Sequence, residues 1–108
     1  MVDTETFRQM ALALPGVTEE PHFHKASFRV NKKTFATLDE VAKLAVVMLT
    51  PVDQDVFSSF DRSAVYPVPN KWGLKGSTYI ALDNVGEDIL NDALATAYNK
   101  VISKSKSK

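Results

Sequence analysis

Residues 84–102 carry one unbroken helical stripe, in which Ile89, Leu90, Ala93, Leu94, Ala97, Tyr98, Val101 and Ile102 recur at helical spacing. Asn84 followed by Glu87 is a capping-box start of the asparagine variety. A helix with a single apolar face draws most of its stability from what that face packs against, so the rest of the chain must supply a matching apolar surface.

Strand-like segments supply it. Residues 26–30, Ala-Ser-Phe-Arg-Val, alternate apolar and polar, Asn31-Lys32-Lys33 forms a turn, and residues 34–38 return rich in aromatic and β-branched side chains, which together predict a β-hairpin. Residues 43–49 are apolar nearly throughout and predict a central strand covered on both faces. Residues 77–82 predict a further strand, preceded from residue 64 by an extended stretch that prolines confine to an edge or loop. Asp3 caps a first helix with Phe7, Met10, Ala11 and Leu14 on one side, ended by Pro15-Gly16 and followed by a loop through Glu19, Glu20 and Pro21. Thr50-Pro51 opens a short helix over residues 51–60. The order α-β-β-β-α-β-β-α predicts an α+β fold: one compact domain over residues 1–102, with an antiparallel sheet flanked by N- and C-terminal helices.

A chain of 108 residues can bury roughly two thirds of its unfolded surface, enough for one core without disulfides. It has no cysteine, which removes thiolate nucleophiles, thiolate metal sites and disulfide scaffolds. No apolar run is long enough to suggest a membrane span, and the N-terminus carries acid where a secretory signal carries base; a soluble, cytoplasmic protein is expected. The charge balance of 13 basic and 13 acidic residues conceals an asymmetry. Lys104, Lys106 and Lys108 lie in the terminal Ser/Lys run, so residues 1–102 hold 10 basic against 13 acidic residues, net −3. Residues 103–108 are too poor in apolar side chains to fold and read as a disordered, solvated tail, the other reading being a phosphate-attracting arm.

Few groups suggest catalysis. No serine sits in a Gly-x-Ser-x-Gly turn, and the four glycines, Gly16, Gly73, Gly76 and Gly86, form neither a dinucleotide fingerprint nor a phosphate loop. Carboxylates at Asp53, Asp55, Glu87, Asp88 and Asp92 suit helix starts and solvation. His22 and His24 share a face in an extended segment and so could meet one metal or anion, but no third ligand is fixed beside them, and an ordinary surface pair is the plainer reading. The expectation is a non-catalytic protein with no metal and no cofactor. The remaining constellation is basic and aromatic. Lys25 and Arg29 share one face of the first hairpin, with Lys32 and Lys33 at its turn, and Lys71 and Lys75 bracket the only tryptophan, Trp72, with Tyr66 and Tyr79 as neighbours. Cations beside aromatics suit phosphate contact and base stacking. A core position for Trp72 and a solvated lysine edge is the plainer alternative.

Several segments carry a family resemblance: Leu14-Pro15-Gly16-Val17-Thr18-Glu19-Glu20, Phe28-Arg29-Val30, Lys33-Thr34-Phe35-Ala36-Thr37-Leu38, Asn70-Lys71-Trp72-Gly73, Gly76-Ser77-Thr78-Tyr79-Ile80-Ala81-Leu82 and Ala97-Tyr98. In this order and spacing the chain resembles the MmcQ/YjbR family over nearly its full length. The resemblance implies a CyaY-like, double-wing α+β fold and DNA binding, a label that rests on fold analogy. It would place Lys25, Arg29, Lys32 and Lys33 on one wing and Lys71, Trp72 and Lys75 on the other. It implies no catalytic set. Pro67-Val68-Pro69-Asn70-Lys71-Trp72-Gly73 departs from a family segment that often reads like His-x-Asn-Lys-x-His-Trp, so no histidine role transfers there. Iron, which a frataxin-like fold would suggest, does not transfer either, because the first helix offers only Asp3 and Glu5. The alternative to DNA is a small-ligand or protein-interaction module using a cleft lined by His22, His24, Tyr66 and Trp72.

Overall fold

The computed structural model describes residues 1–22 and 25–106, with side chains for residues 1–21 and 25–103. His24 lies outside the described residues, and of His22 only the backbone falls within them. The elements in order are α1 (Thr4–Leu12), β1 (Thr18–His22), β2 (Lys25–Val30), β3 (Lys33–Asp39), β4 (Leu44–Met48), α2 (Pro51–Phe60), β5 (Val65–Pro67), α3 (Lys71–Leu74), β6 (Ser77–Ala81) and α4 (Glu87–Lys106). The strands form one six-stranded sheet in the order β1-β2-β3-β4-β6-β5, with every neighbouring pair antiparallel.

Pairing register sorts the side chains between two faces. Phe28, Ala36, Val47 and Thr78 make one cross-strand row, and Ala26, Leu38, Ala45, Ile80 and Val65 make the next. All of them are buried. Both terminal helices cover this one face. Phe7 of α1 meets Phe28 edge-on with ring centroids 5.6 Å apart, and Tyr98 of α4 meets Phe35 at 5.9 Å. Leu90, Ala93, Leu94 and Ala97 of the predicted stripe are buried in the same core. The Tyr98 hydroxyl donates to the Pro15 carbonyl at 2.5 Å, tying α4 to the loop that follows α1. No helix among the described residues is long and apolar enough to cross a membrane.

The structure departs from the sequence expectation in four places. β1 occupies the expected loop: its Thr-Glu-Glu-Pro-His lacks apolar alternation, but as an edge strand it needs only one partner, and both charge and proline are tolerated there. α3 adds a single turn in which the Asn70 side-chain oxygen accepts the Trp72 backbone N–H at 2.8 Å. β4 has helices over the Ala45 and Val47 face alone, while Leu44, Val46 and Met48 are half-buried on the other. Apolar residues on that second face line clefts, which is why the segment reads as buried throughout. α4, finally, continues to Lys106, into the Ser/Lys run.

Candidate functional site

The second face of the sheet carries polar, aromatic and cationic side chains. Across it run Ser27, Thr37, Val46, Tyr79 and Tyr66 in cross-strand register, with Arg29 opposite both Thr18 and Thr34. Three clefts lie along it. The first, of about 490 Å³, is lined by Lys25, Thr37, Val46, Met48, Val68, Trp72, Ser77 and Tyr79. The second, of about 440 Å³, is lined by Glu20, Pro21, Ser27, Arg29, Thr34, Thr37 and Met48. The third, of about 500 Å³, is lined by Gly16, Thr18, Glu20, Arg29, Asn31 and Lys32. Thr37 and Met48 belong to the first two, Glu20 and Arg29 to the last two, so the three join into one trough. From β6 to β2 it crosses three strand spacings, roughly 14 Å.

Each end is held by local geometry. At the aromatic end, the Gln54 side-chain amide of α2 donates toward the Gly73 and Ser77 carbonyls and the Thr78 hydroxyl at 2.9, 3.0 and 3.2 Å. A Cβ on Gly73 would stand 1.7 Å from the Val68 carbonyl oxygen, and one on Gly76, at φ +115, would stand 1.8 Å from that of Leu49. Only glycine lets the α3 turn press this closely against the chain on either side. Trp72 is thereby presented outward with 55% of its surface exposed, which overturns the core reading of this residue. The Lys75 ammonium stands 5.3 Å from its ring centroid, and Tyr66 and Tyr79 pack together at 5.6 Å.

At the basic end, Asn31 and Lys32 both have positive φ, 52 and 67, the pattern of a two-residue type I′ hairpin loop. The turn brings the Lys32 carbonyl to the Arg29 guanidinium, which donates to it at 2.9 Å. The Nε of Arg29 is buried without a hydrogen-bond partner. Among the described residues, Lys25, Arg29, Lys32, Lys71 and Lys75 form no ion pair. Arg8 is the contrast. Its guanidinium donates to Glu19 at 2.9 Å and to Glu5 at 3.1 Å, and also pairs with Glu40. Those carboxylates, Glu40 foremost, raise its pKa further, so it is held charged. Glu19 lies across from Phe28, on the helix-covered side, so this acidic cluster faces away from the trough.

Of the basic residues expected at the site, Lys25, Arg29 and Lys32 reach the trough together with Trp72. Lys71 and Lys75 lie on α3 and at its C-cap, beside the rim. Lys33 pairs with Val30 and so belongs to the helix-covered side, separated from Arg29 by the pleat. Tyr66 stands beyond the first cleft, against Tyr79. Sequence reading missed Glu20, Thr37, Val46 and Met48, because each belongs to a segment read as loop, as hairpin or as core. The alternation of half-buried and buried positions along β4 exists only in the structure, since Leu44-Ala45-Val46-Val47-Met48 is apolar throughout and carries no signal of its face. No group of three or more His, Asp or Glu among the described residues could hold a metal ion.

A family model described as YjbR matches residues 12–100. The chain belongs to the YjbR family. The matched span includes every residue lining the trough, from Gly16 to Tyr79. The crystal structure of Deinococcus radiodurans protein DR2400, which carries a DUF419 domain, is similar over 100% of this chain and 84% of that one, with a TM-score of 0.83 at 20% identity. At that identity the likeness concerns the fold. No curated protein matches the chain.

Proposed function

We propose that this YjbR-family protein is a non-catalytic nucleic-acid-binding protein, and that DNA phosphates are neutralised along the open face of its sheet by Lys25, Arg29 and Lys32, with Lys71 and Lys75 at the rim. The observation that carries this reading is convergence: Lys25 and Trp72, far apart in sequence, line one cleft, and Arg29 and Lys32 line those contiguous with it. Unpaired cations gathered in a concavity suit a polyanion even on a body whose net charge is −3 over residues 1–102. In this reading the β2–β3 hairpin and the α3 turn are the two wings that flank the trough.

The test uses the full chain with Lys104, Lys106 and Lys108 changed to Gln, so that the terminal run contributes no charge. Fluorescence anisotropy with labelled DNA at about 50 mM salt should show binding that weakens linearly in log salt, with a slope of roughly −0.7 to −0.9 per phosphate contacted. Arg29→Gln with Lys25→Gln should lower both affinity and slope. Absence of binding at that salt, or binding that needs the terminal lysines, would count against the trough.

A further inference from the structure

The trough is not uniformly basic, and its apolar end does not suit a phosphate backbone. Val46, Met48 and Tyr79 form a half-buried floor beside Trp72, while the cations Arg29 and Lys32 occupy the opposite end. We infer that the trough takes a single nucleic-acid strand, with an unpaired base seated in the Trp72 cleft and its backbone leading past Lys25 toward Arg29. This inference rests on the nucleic-acid reading above and specifies which form of nucleic acid the site selects.

Two observations and one argument from duplex geometry support it. A cleft of about 490 Å³ falls within the size range of small-ligand sites and has room for one planar heterocycle with its sugar. Lys25 lines that same cleft, so a cation stands beside the seat where a base would bring its phosphate. In a duplex the bases are stacked inside and the phosphates lie outside; reaching the cleft floor would require extruding a base, which costs a few kcal/mol per event. A single strand presents its bases without that cost, and an aromatic side chain accepts any of them because every base has a π-face. Glu20 lines both clefts at the basic end and repels phosphate there, so it limits affinity at a defined place.

Trp72 is the only tryptophan, so its fluorescence reports this cleft alone. The full chain with its three terminal lysines changed to Gln is titrated with an oligothymidylate of about ten nucleotides, with the same strand paired to oligoadenylate, and with inorganic triphosphate. Saturable quenching by the single strand is expected, with affinity at least tenfold above that of the duplex and no quenching by triphosphate. Read by anisotropy of the labelled strand, since these variants carry no tryptophan, Trp72→Ala should lose roughly 5- to 100-fold in affinity, and Trp72→Phe should recover much of it. Glu20→Gln should tighten binding about threefold, the size of one exposed charge interaction. Thermal melts confirm that each variant folds, which the exposure of Trp72 favours. Equal affinity for both DNA forms, or an unchanged affinity in a folded Trp72→Ala, overturns the single-strand inference and leaves phosphate binding standing. Binding of neither form overturns the nucleic-acid reading itself.

Discussion

The two faces of the sheet are built from the same strands and differ in what covers them. Stepping along β3, Ala36 and Leu38 are fully buried under helices while Thr37 between them lines the trough. Along β4 the same holds for Ala45 and Val47 against Val46 and Met48. On the covered face side chains are selected for volume and apolarity, since any void there costs contacts on all sides. On the open face Ser, Thr, Arg and Tyr are tolerated because no helix is packed over them and their polar groups need not be matched by a covering element, which leaves those positions available for recognition. Stability should therefore reside on one face and binding on the other. The sharpest test compares adjacent residues: Leu38→Ala should cost about 3 kcal/mol of unfolding free energy, and Thr37→Ala less than about 1 kcal/mol. Urea unfolding with unchanged m-values measures both. Equal losses would mean that the open face is covered after all.

A second, smaller effect separates the covered side from the trough by charge. Arg8 joins α1, β1 and the turn after β3 through Glu5, Glu19 and Glu40, and its side chain is only 23% exposed. Arg8→Gln leaves three carboxylates without their common cation and should destabilise by about 2 kcal/mol, less at high salt. DNA affinity should be unchanged, because none of these residues lines the trough. A parallel loss of affinity in the folded variant would show that the β1 edge carries part of the binding site.

The same contrast decides what could be read from the sequence. The covered face was legible because burial imposes periodicity: the stripe from Ile89 to Ile102 and the alternation in Ala26-Ser27-Phe28-Arg29-Val30 are direct consequences of it. Lys25 and Arg29 were legible as site candidates for the same reason, being the polar partners of that alternation. β1 was not legible, since its pairing is decided by the neighbouring β2 and its own residues carry no pattern. The outward pose of Trp72 was not legible either. It follows from Gln54, Asn70 and the bare Cα atoms of Gly73 and Gly76, a long-range arrangement that local spacing cannot encode. Lys33 lies on the covered side because the loop is only Asn31-Lys32 and pairs Lys33 with Val30, whereas reading Asn31-Lys32-Lys33 as the turn assigned it to neither face.

At the hairpin turn the two properties can be separated within one residue. Lys32 holds φ at 67, a conformation that disfavours a side chain with a Cβ, and it also contributes a cation to the third cleft. Lys32→Gly removes both. Relief of backbone strain, partly offset by the greater freedom of glycine in the unfolded chain, should stabilise the protein by about 0.5 kcal/mol. The same change should weaken DNA binding and make its salt slope shallower by about one phosphate. Stability and binding moving in opposite directions would be the signature of a residue retained for its charge.

The last effect depends on pH and lies at the start of α1, on the covered side. Asp3 caps this helix by accepting the Thr6 backbone N–H at 2.7 Å, and hydrogen bonding from Thr6 lowers its carboxyl pKa from the ordinary 3.8. A carboxyl whose folded pKa lies below its unfolded one contributes stability that is fully present above the unfolded value and is lost as pH falls through the folded value. The melting temperature of Asp3→Ala should thus lie slightly below that of the unaltered protein at pH 7, and the gap should close once pH falls well below the ordinary carboxyl value of 3.8. DNA affinity at pH 7 should not move, because the cap serves a helix that lies on the far side of the sheet from Arg29 and Trp72. A gap that stayed constant down to acid pH would mean that Asp3 stabilises α1 through its backbone conformation, with its charge contributing nothing.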